Sequence, residues 1–136
     1  MGIDVSKSYL KQYRKNGATG ILGSAEKLPF EGGSFDAIWS IWLFHHLSDE
    51  IAKKSILEML RVCKKSGYIL IIDAVMPVYN LSRPLAYIIR KLDRGRYVRN
   101  FNQNVNLLPN PSEWTIKRKT YSHTGLEMMV FKFIKK

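Results

Sequence analysis

Apolar residues fall into two spacings along the chain. At residues 35–41 and 68–75 they run almost unbroken over strand-sized lengths, which predicts central parallel strands apolar on both faces. Between them Ala52, Ile56, Met59, Leu60 and Cys63 recur at helical spacing after Ser48. Ser48 reads as the N-cap, with Asp49 and Glu50 in the first turn, where the helix dipole favours acidic groups. Arg61, Lys64 and Lys65 then form the basic end of this helix and Gly67 stops it. A shorter unit precedes it: a strand ending near Asp4, a helix capped by Ser6 and ended by Gly17, and a strand over residues 19–22. After Pro77 the pattern predicts a basic helix over residues 81–92 and an irregular, asparagine-rich stretch over 93–111. Strands over 114–121 and 126–134 follow, and Ser122-His123-Thr124-Gly125 between them predicts an antiparallel hairpin. This order gives an α/β sandwich with a mostly parallel sheet.

Composition narrows the setting. The 136 residues suffice for one domain with a real core. No apolar run approaches the ~18 residues of a membrane span. Asp4 and Lys7 break up any signal peptide, and a single cysteine excludes an internal disulfide, so the cytoplasm is the expected compartment. Charge is uneven: residues 1–76 carry a balance of +2 and residues 77–136 one of +9, within a total of +11. The basic half predicts either a solvated surface or contact with an anionic partner such as RNA. A face built from Arg83, Arg90, Lys91, Arg94, Arg96 and Arg99 would bind tRNA with steep salt dependence.

Candidate chemistry gathers where parallel strands end, because open α/β sheets bind ligands there. Asp4 ends the first strand; alone, such a residue is more often a cap or a turn residue. Two further stretches stand at equivalent places, Ser24 to Phe30 and Ser40 to Leu47. His45 and His46 suit either a proton-transfer pair or, more simply, a shaped loop. The three histidines are too scattered to suggest a metal site with Cys63, which reads as a core thiol. Trp39 reads as core, and Trp42 as lining a pocket. Arg94, Arg96 and Arg99 with Tyr97 suit a phosphate clamp or a base-stacking platform as well as a solvated loop.

Five segments together are more specific: Gly2-Ile3-Asp4-Val5-Ser6, Ser24-Ala25-Glu26-Lys27-Leu28-Pro29-Phe30, Phe35-Asp36-Ala37-Ile38, His45-His46-Leu47 and Leu57-Glu58-Met59-Leu60-Arg61-Val62. In this order they resemble class I S-adenosylmethionine-dependent methyltransferases of the type 11-like group, which includes quinone-biosynthesis C-methyltransferases and wobble-uridine tRNA methyltransferases. The resemblance implies a Rossmann-like methyltransferase sandwich ending in an antiparallel hairpin. It implies that Asp4 binds the cofactor ribose, that Ser24 and Ala25 lie by the adenine, and that Ile41 lines the methionine end. Trp42, Arg94, Arg96 and Arg99 become the substrate-side candidates, and no catalytic residue is implied, since methyl transfer from a sulfonium needs positioning more than acid–base help.

The family's opening strand, Gly-x-Gly-x-Gly loop and helix have no counterpart here, and Gly32-Gly33 lies in a turn. The resemblance therefore implies a single partial domain over residues 1–136, truncated at its N-terminus, with first strand and helix missing. Residues 1–76 form its cofactor side, 77–111 its basic substrate side and 112–136 its hairpin. Weak or absent binding of S-adenosylmethionine by the isolated chain follows. The other expectations are a non-catalytic remnant or regulatory subunit of a methyltransferase complex, and a basic RNA-binding module. The missing strand belongs in mid-sheet, so either residues 2–4 close up beside 35–41 or another chain covers the gap. Self-association is expected from the exposed edge.

Overall fold

The computed structural model describes residues 1–77, 83–120, 122–123 and 125–136. The chain opens with β1 (Gly2–Asp4), α1 (Lys7–Lys15) and β2 (Gly20–Leu22). Ser6 caps α1 by accepting the Tyr9 N–H through its hydroxyl. Then come β3 (Phe35–Ile41), a short 3₁₀ turn over Phe44–His46, and α2 (Asp49–Val62), capped by Ser48 as the sequence predicts. β4 (Cys63–Val75), α3 (Pro84–Lys91), α4 (Phe101–Val105), β5 (Thr115–Thr120) and β6 (Glu127–Ile134) complete the order.

Three elements differ from the sequence expectation. Helix α2 ends at Val62, well before Gly67, because Cys63 already pairs with Phe35 and starts β4. Gly67 serves close approach instead: a Cβ there would stand 2.9 Å from the Asp36 carbonyl oxygen and 2.9 Å from Cys63 Sγ. The stretch expected to be irregular holds α4, closed by a capping box in which Asn100 and Gln103 satisfy each other's backbone N–H groups. The basic helix begins at Pro84; residues 81 and 82 of the expected range lie outside the described residues, as do Tyr121 and Thr124 of the hairpin.

The strands form two sheets, β1-β2 and β3-β4-β6-β5. Pairs β1/β2 and β3/β4 are parallel, while β6 lies antiparallel between β4 and β5, so the predicted hairpin forms. β1 does not close up beside β3. The chain winds outward from the break in both directions, β1 to β2 on one side and β3 to β4 on the other. Right-handed crossovers, the general rule for such units, correspond to α1 and α2 on opposite faces.

Register decides which side of the larger sheet is packed, because directly paired residues point the same way. The rows Ile38–Ile69–Phe133 and Ser40–Ile71–Phe131–Ile116 face the core, where α2 contributes Ala52, Ile56 and Met59, and Leu107, Leu108 and Trp114 add cover. Each fully buried aliphatic here contributes about 1.5–3 kcal/mol. The opposite rows, Trp39–Leu70–Lys132–Thr115 and Ile41–Ile72–Val130–Lys117, send no member into that core. Trp39, expected in the core, is accordingly 64% exposed. It lies on the uncovered face.

Candidate functional site

The break between β1 and β3 is a crevice of about 570 Å³, walled by both strands and reached by Tyr13 of α1 and by Ser55 and Met59 of α2. Strand order reverses here, and such a switch point is where doubly wound sheets bind ligands. Asp4 stands on one wall at the C-terminal end of β1. Ile41 and Trp42 stand on the other at the end of β3, and Ala25 closes one side from the loop after β2. Asp4 also serves locally, its Oδ1 accepting the Ser6 N–H at 2.7 Å. Ser24 is adjacent, its hydroxyl accepting the Glu26 N–H at 3.4 Å.

The loop carrying Ser24 and Ala25 is fastened to α2. Glu58 Oε2 accepts the Leu28 N–H at 2.8 Å, and Arg61 donates to the carbonyls of Leu28 at 3.0 Å and Phe30 at 2.7 Å. The Arg61 guanidinium hydrogen-bonds Glu58 and lowers its pKa to about 2, with the Leu28 N–H assisting against the cost of burial. A carboxylate depressed in the folded state stabilises above its unfolded pKa and loses that contribution as pH falls. Glu58 should therefore stop supporting the loop as pH falls from about 4.5 toward about 2. Glu58→Gln is expected to cost about 1–2 kcal/mol near neutrality, the partly exposed pair being screened, and to flatten the acid limb of stability. Urea denaturation of both proteins across that range checks it; parallel acid limbs would refute it.

Above the crevice, Asp73 is 1% exposed. It accepts the backbone N–H of Phe44, that of Ala74 at 2.6 Å and the His45 Nδ1–H at 2.6 Å. This fixes the His45 tautomer and turns Nε2 toward Asp93, whose Oδ1 lies 4.0 Å away. Burial raises the Asp93 pKa, but the Gly95 N–H, the Arg90 guanidinium and the nearby His45 outweigh it and hold the carboxyl below its usual range. Residues 93–99 strap across the histidine loop: Tyr97 N–H donates to the His45 carbonyl at 3.0 Å. The pair His45–His46 thus has the shaped-loop arrangement, with His45 buried and His46 exposed.

The arginine candidates separate. Arg99 is buried, giving its guanidinium to Asp49 Oδ1 at 2.7 Å and to the carbonyls of Phe44 at 2.9 Å and Leu47 at 2.5 Å. It holds the loop and does not line the crevice. Arg94 and Arg96 are exposed and also lie outside the lining. Of the six residues offered as a basic face, Arg90 pairs with Asp93 and Arg83 with Glu127, so internal carboxylates take up part of that charge.

Two features of the site were not drawn from the sequence. Ser40 Oγ is buried and has no hydrogen-bond partner among the described residues, although Ser40 lines the crevice. Trp42 has φ 56, a left-handed conformation costly for a bulky side chain, held by its N–H on the Ile72 carbonyl at 3.0 Å. The Arg90 guanidinium carbon lies 5.9 Å from the Trp42 ring. Among the described residues no group of three His, Cys, Asp or Glu is placed to hold a metal, and no helix is long and apolar enough to cross a membrane.

Comparison with known proteins agrees with this layout. Residues 1–71 match the family described as "Methyltransferase domain". The chain is 33% identical over 75 residues to the uncharacterized methyltransferase YcgJ of Bacillus subtilis, covering 55% of this chain and 29% of that protein. It is 38% identical over 72 residues to the tRNA (carboxymethyluridine(34)-5-O)-methyltransferase of Arabidopsis thaliana, covering 52% of this chain and 18% of that one. The matches thus span less than a third of the length of these curated relatives. Among solved structures, a SAM-dependent methyltransferase of Methanosarcina mazei superposes with a TM-score of 0.72 at 17% identity. That superposition covers 99% of this chain and 82% of the other, and it shows the shared fold.

Proposed function

The chain belongs to the methyltransferase-domain family of class I S-adenosylmethionine-dependent proteins, and from that premise we propose that the crevice between β1 and β3 binds S-adenosylmethionine for methyl transfer. The observation that carries this is the meeting of Asp4, Ala25, Ile41 and Trp42 around one crevice at the strand-order reversal. Its volume falls within the range of small-molecule sites. The buried Ser40 hydroxyl, without a partner among the described residues, suits a polar ligand there.

In this reading Asp4 takes the ribose hydroxyls, Ser24 and Ala25 flank the adenine, and Ile41 packs on the methionine end. The bound cofactor supplies an electrophilic methyl group on a sulfonium. The chain's own residues hold the reactants in line and exclude water. Trp42 forms the acceptor-side wall, and Arg94 and Arg96 on the strap suit an acceptor with an anionic group. Residues 1–76 then form the cofactor side, 77–111 the acceptor side and 112–136 the closing hairpin.

No glycine-rich loop among these residues brings backbone N–H groups close against the cofactor, so the expected affinity is weak. Calorimetric titration should give roughly millimolar binding, an overall ~4 kcal/mol. Asp4→Ala should weaken it about ten-fold or more, since a hydrogen bond to a charged group contributes about 1.5–3 kcal/mol. Binding that ignores Asp4→Ala would overturn the site, and micromolar binding would overturn the weakness. A second reading, a non-catalytic subunit of a methyltransferase complex, is favoured by the same split sheet. It predicts no binding of the cofactor by the chain alone.

A further inference from the structure

Helix α3 turns its apolar side to solvent. Leu85, Ile88, Ile89 and Leu92 recur at the i, i+3, i+4, i+7 spacing that makes one stripe. All four are exposed, Leu92 to 78%. On a surface helix such a stripe ordinarily faces the core. Here other residues take the inner side. Ala86 is fully buried, and the buried Arg90 gives its guanidinium to Asp93 Oδ2 at 2.9 Å and to the Glu127 carbonyl at 3.3 Å. Ala86 and Arg90 stand one turn apart on the same side, so together they fix the rotation of the helix. The stripe is left outside.

Charge and shape select what meets it. Residues 83–92 contain no acidic side chain. Lys91 is exposed beside the stripe, and the exposed Arg94 and Arg96 follow directly. Arg94 stands two residues beyond Leu92, no more than ~7 Å along the backbone. Among the described residues the ion pairs of this region engage Arg83, Arg90 and Arg99, and none takes up Lys91, Arg94 or Arg96. An apolar stripe rimmed by cations is the make-up of helices that lie in the interface of an anionic bilayer. Tyr97, 41% exposed on the strap, is an aromatic of the kind enriched at that depth. The stripe is a ridge, and no α3 residue lines the crevice, so α3 offers no groove to a partner helix. A second copy docked through the same stripe would bring two cationic rims together, each on a chain of charge +11.

We propose that α3 and the arginines after it form a membrane-surface element that seats this chain on anionic bilayers. Leu85, Ile88, Ile89 and Leu92 enter the boundary between headgroups and acyl chains, and Lys91, Arg94 and Arg96 meet the lipid phosphates. This goes beyond the cofactor reading and does not depend on it. On the inner side of the same helix, the Arg90 guanidinium carbon lies 5.9 Å from the Trp42 ring. A seated α3 therefore holds the Trp42 wall of the crevice within roughly one helix diameter, ~10–12 Å, of the lipid.

The test sediments the full chain with vesicles of phosphatidylcholine alone and of phosphatidylcholine with about one-third phosphatidylserine. Binding to the anionic vesicles should be at least about ten-fold tighter than to the neutral ones, and should slow amide exchange over Leu85–Lys91. Any chain of this charge adheres somewhat to an anionic surface, so the deciding variant keeps every charge. Ile88→Gln combined with Leu92→Gln should bind the anionic vesicles at least about ten-fold more weakly. Leu85→Gln, at the other end of the stripe, should weaken binding in the same direction, and urea denaturation checks that these exposed substitutions leave the fold intact. Equal binding of the folded variants would mean adhesion by charge alone and would overturn the proposal. So would absence of binding to anionic vesicles, or a vesicle-free dimer in which the Leu85–Lys91 amides are already protected. Sedimentation is read without cofactor and calorimetry without vesicles, so failure of either reading leaves the other standing.

Discussion

Asp73→Ala is expected to lower the unfolding free energy by about 3–5 kcal/mol, the largest effect of any single substitution considered for this chain. The carboxylate is buried and accepts the N–H groups of Phe44 and Ala74 and the Nδ1–H of His45. Truncation strands three donors away from water, and each unsatisfied group costs about 1–3 kcal/mol. Part of this is regained as the loop at Phe44–His46 relaxes toward solvent. Asp73→Asn keeps the size and one acceptor oxygen, so it should cost about half as much. Urea denaturation followed by tryptophan fluorescence measures both. An Asp73→Ala protein within about 1 kcal/mol of the parent would show that the loop is held by other contacts.

Gly95→Ala is the second. A Cβ at this position would lie 2.3 Å from His45 Cδ2 and 2.7 Å from the His45 carbonyl oxygen. The imidazole cannot swing away cheaply, because Asp73 holds its Nδ1 and the ring is buried. The strap must lift instead, weakening the Tyr97 N–H bond to the His45 carbonyl and displacing the Arg99 guanidinium behind it. The expected cost is about 2–3 kcal/mol, as for overpacking in a well-filled interior. The clash with the ring and the clash with the backbone are separable. In a His45→Ala background the added methyl should cost at least about 1 kcal/mol less, the remainder being the carbonyl contact. Strict additivity of the two substitutions would mean that the strap does not press on the imidazole.

The parts of the fold that were legible are those written in local pattern. Ser6 and Ser48 cap the helices they were expected to cap, since a cap needs only a hydroxyl at the right place before an apolar stripe. The span of β3 is its expected range, because an apolar run bounded by Gly33 on one side and by the histidine loop on the other leaves little choice of ends. Helix α4 is not legible because Asn100, Asn102 and Asn104 resemble loop chemistry, and the capping box of Asn100 with Gln103 exists only once the turn has formed. The end of α2 differs from expectation because Gly67, a familiar helix stop, is needed here for close approach to Asp36 and Cys63.

By itself the sequence determined the order of strands and helices apart from α4, the apolar face that α2 turns to the core, and the family to which residues 1–71 belong. It also placed Asp4, Ala25, Ile41 and Trp42 at strand ends, which tertiary structure then gathered round one crevice. Only the tertiary structure decided that β1 and β3 stand apart, that the Trp39 side of β3 lies bare, and that Arg99 is spent on the carbonyls of Phe44 and Leu47. The reason is range. Periodicity and capping are set by residues three or four apart. Phe44 and His45, on which Asp73, Gly95 and Arg99 converge, lie 28 to 55 positions away from them and leave no local trace. Whether an apolar strand face is core or surface likewise depends on what is laid over it, and in this chain nothing among the described residues covers the Trp39 and Ile41 side.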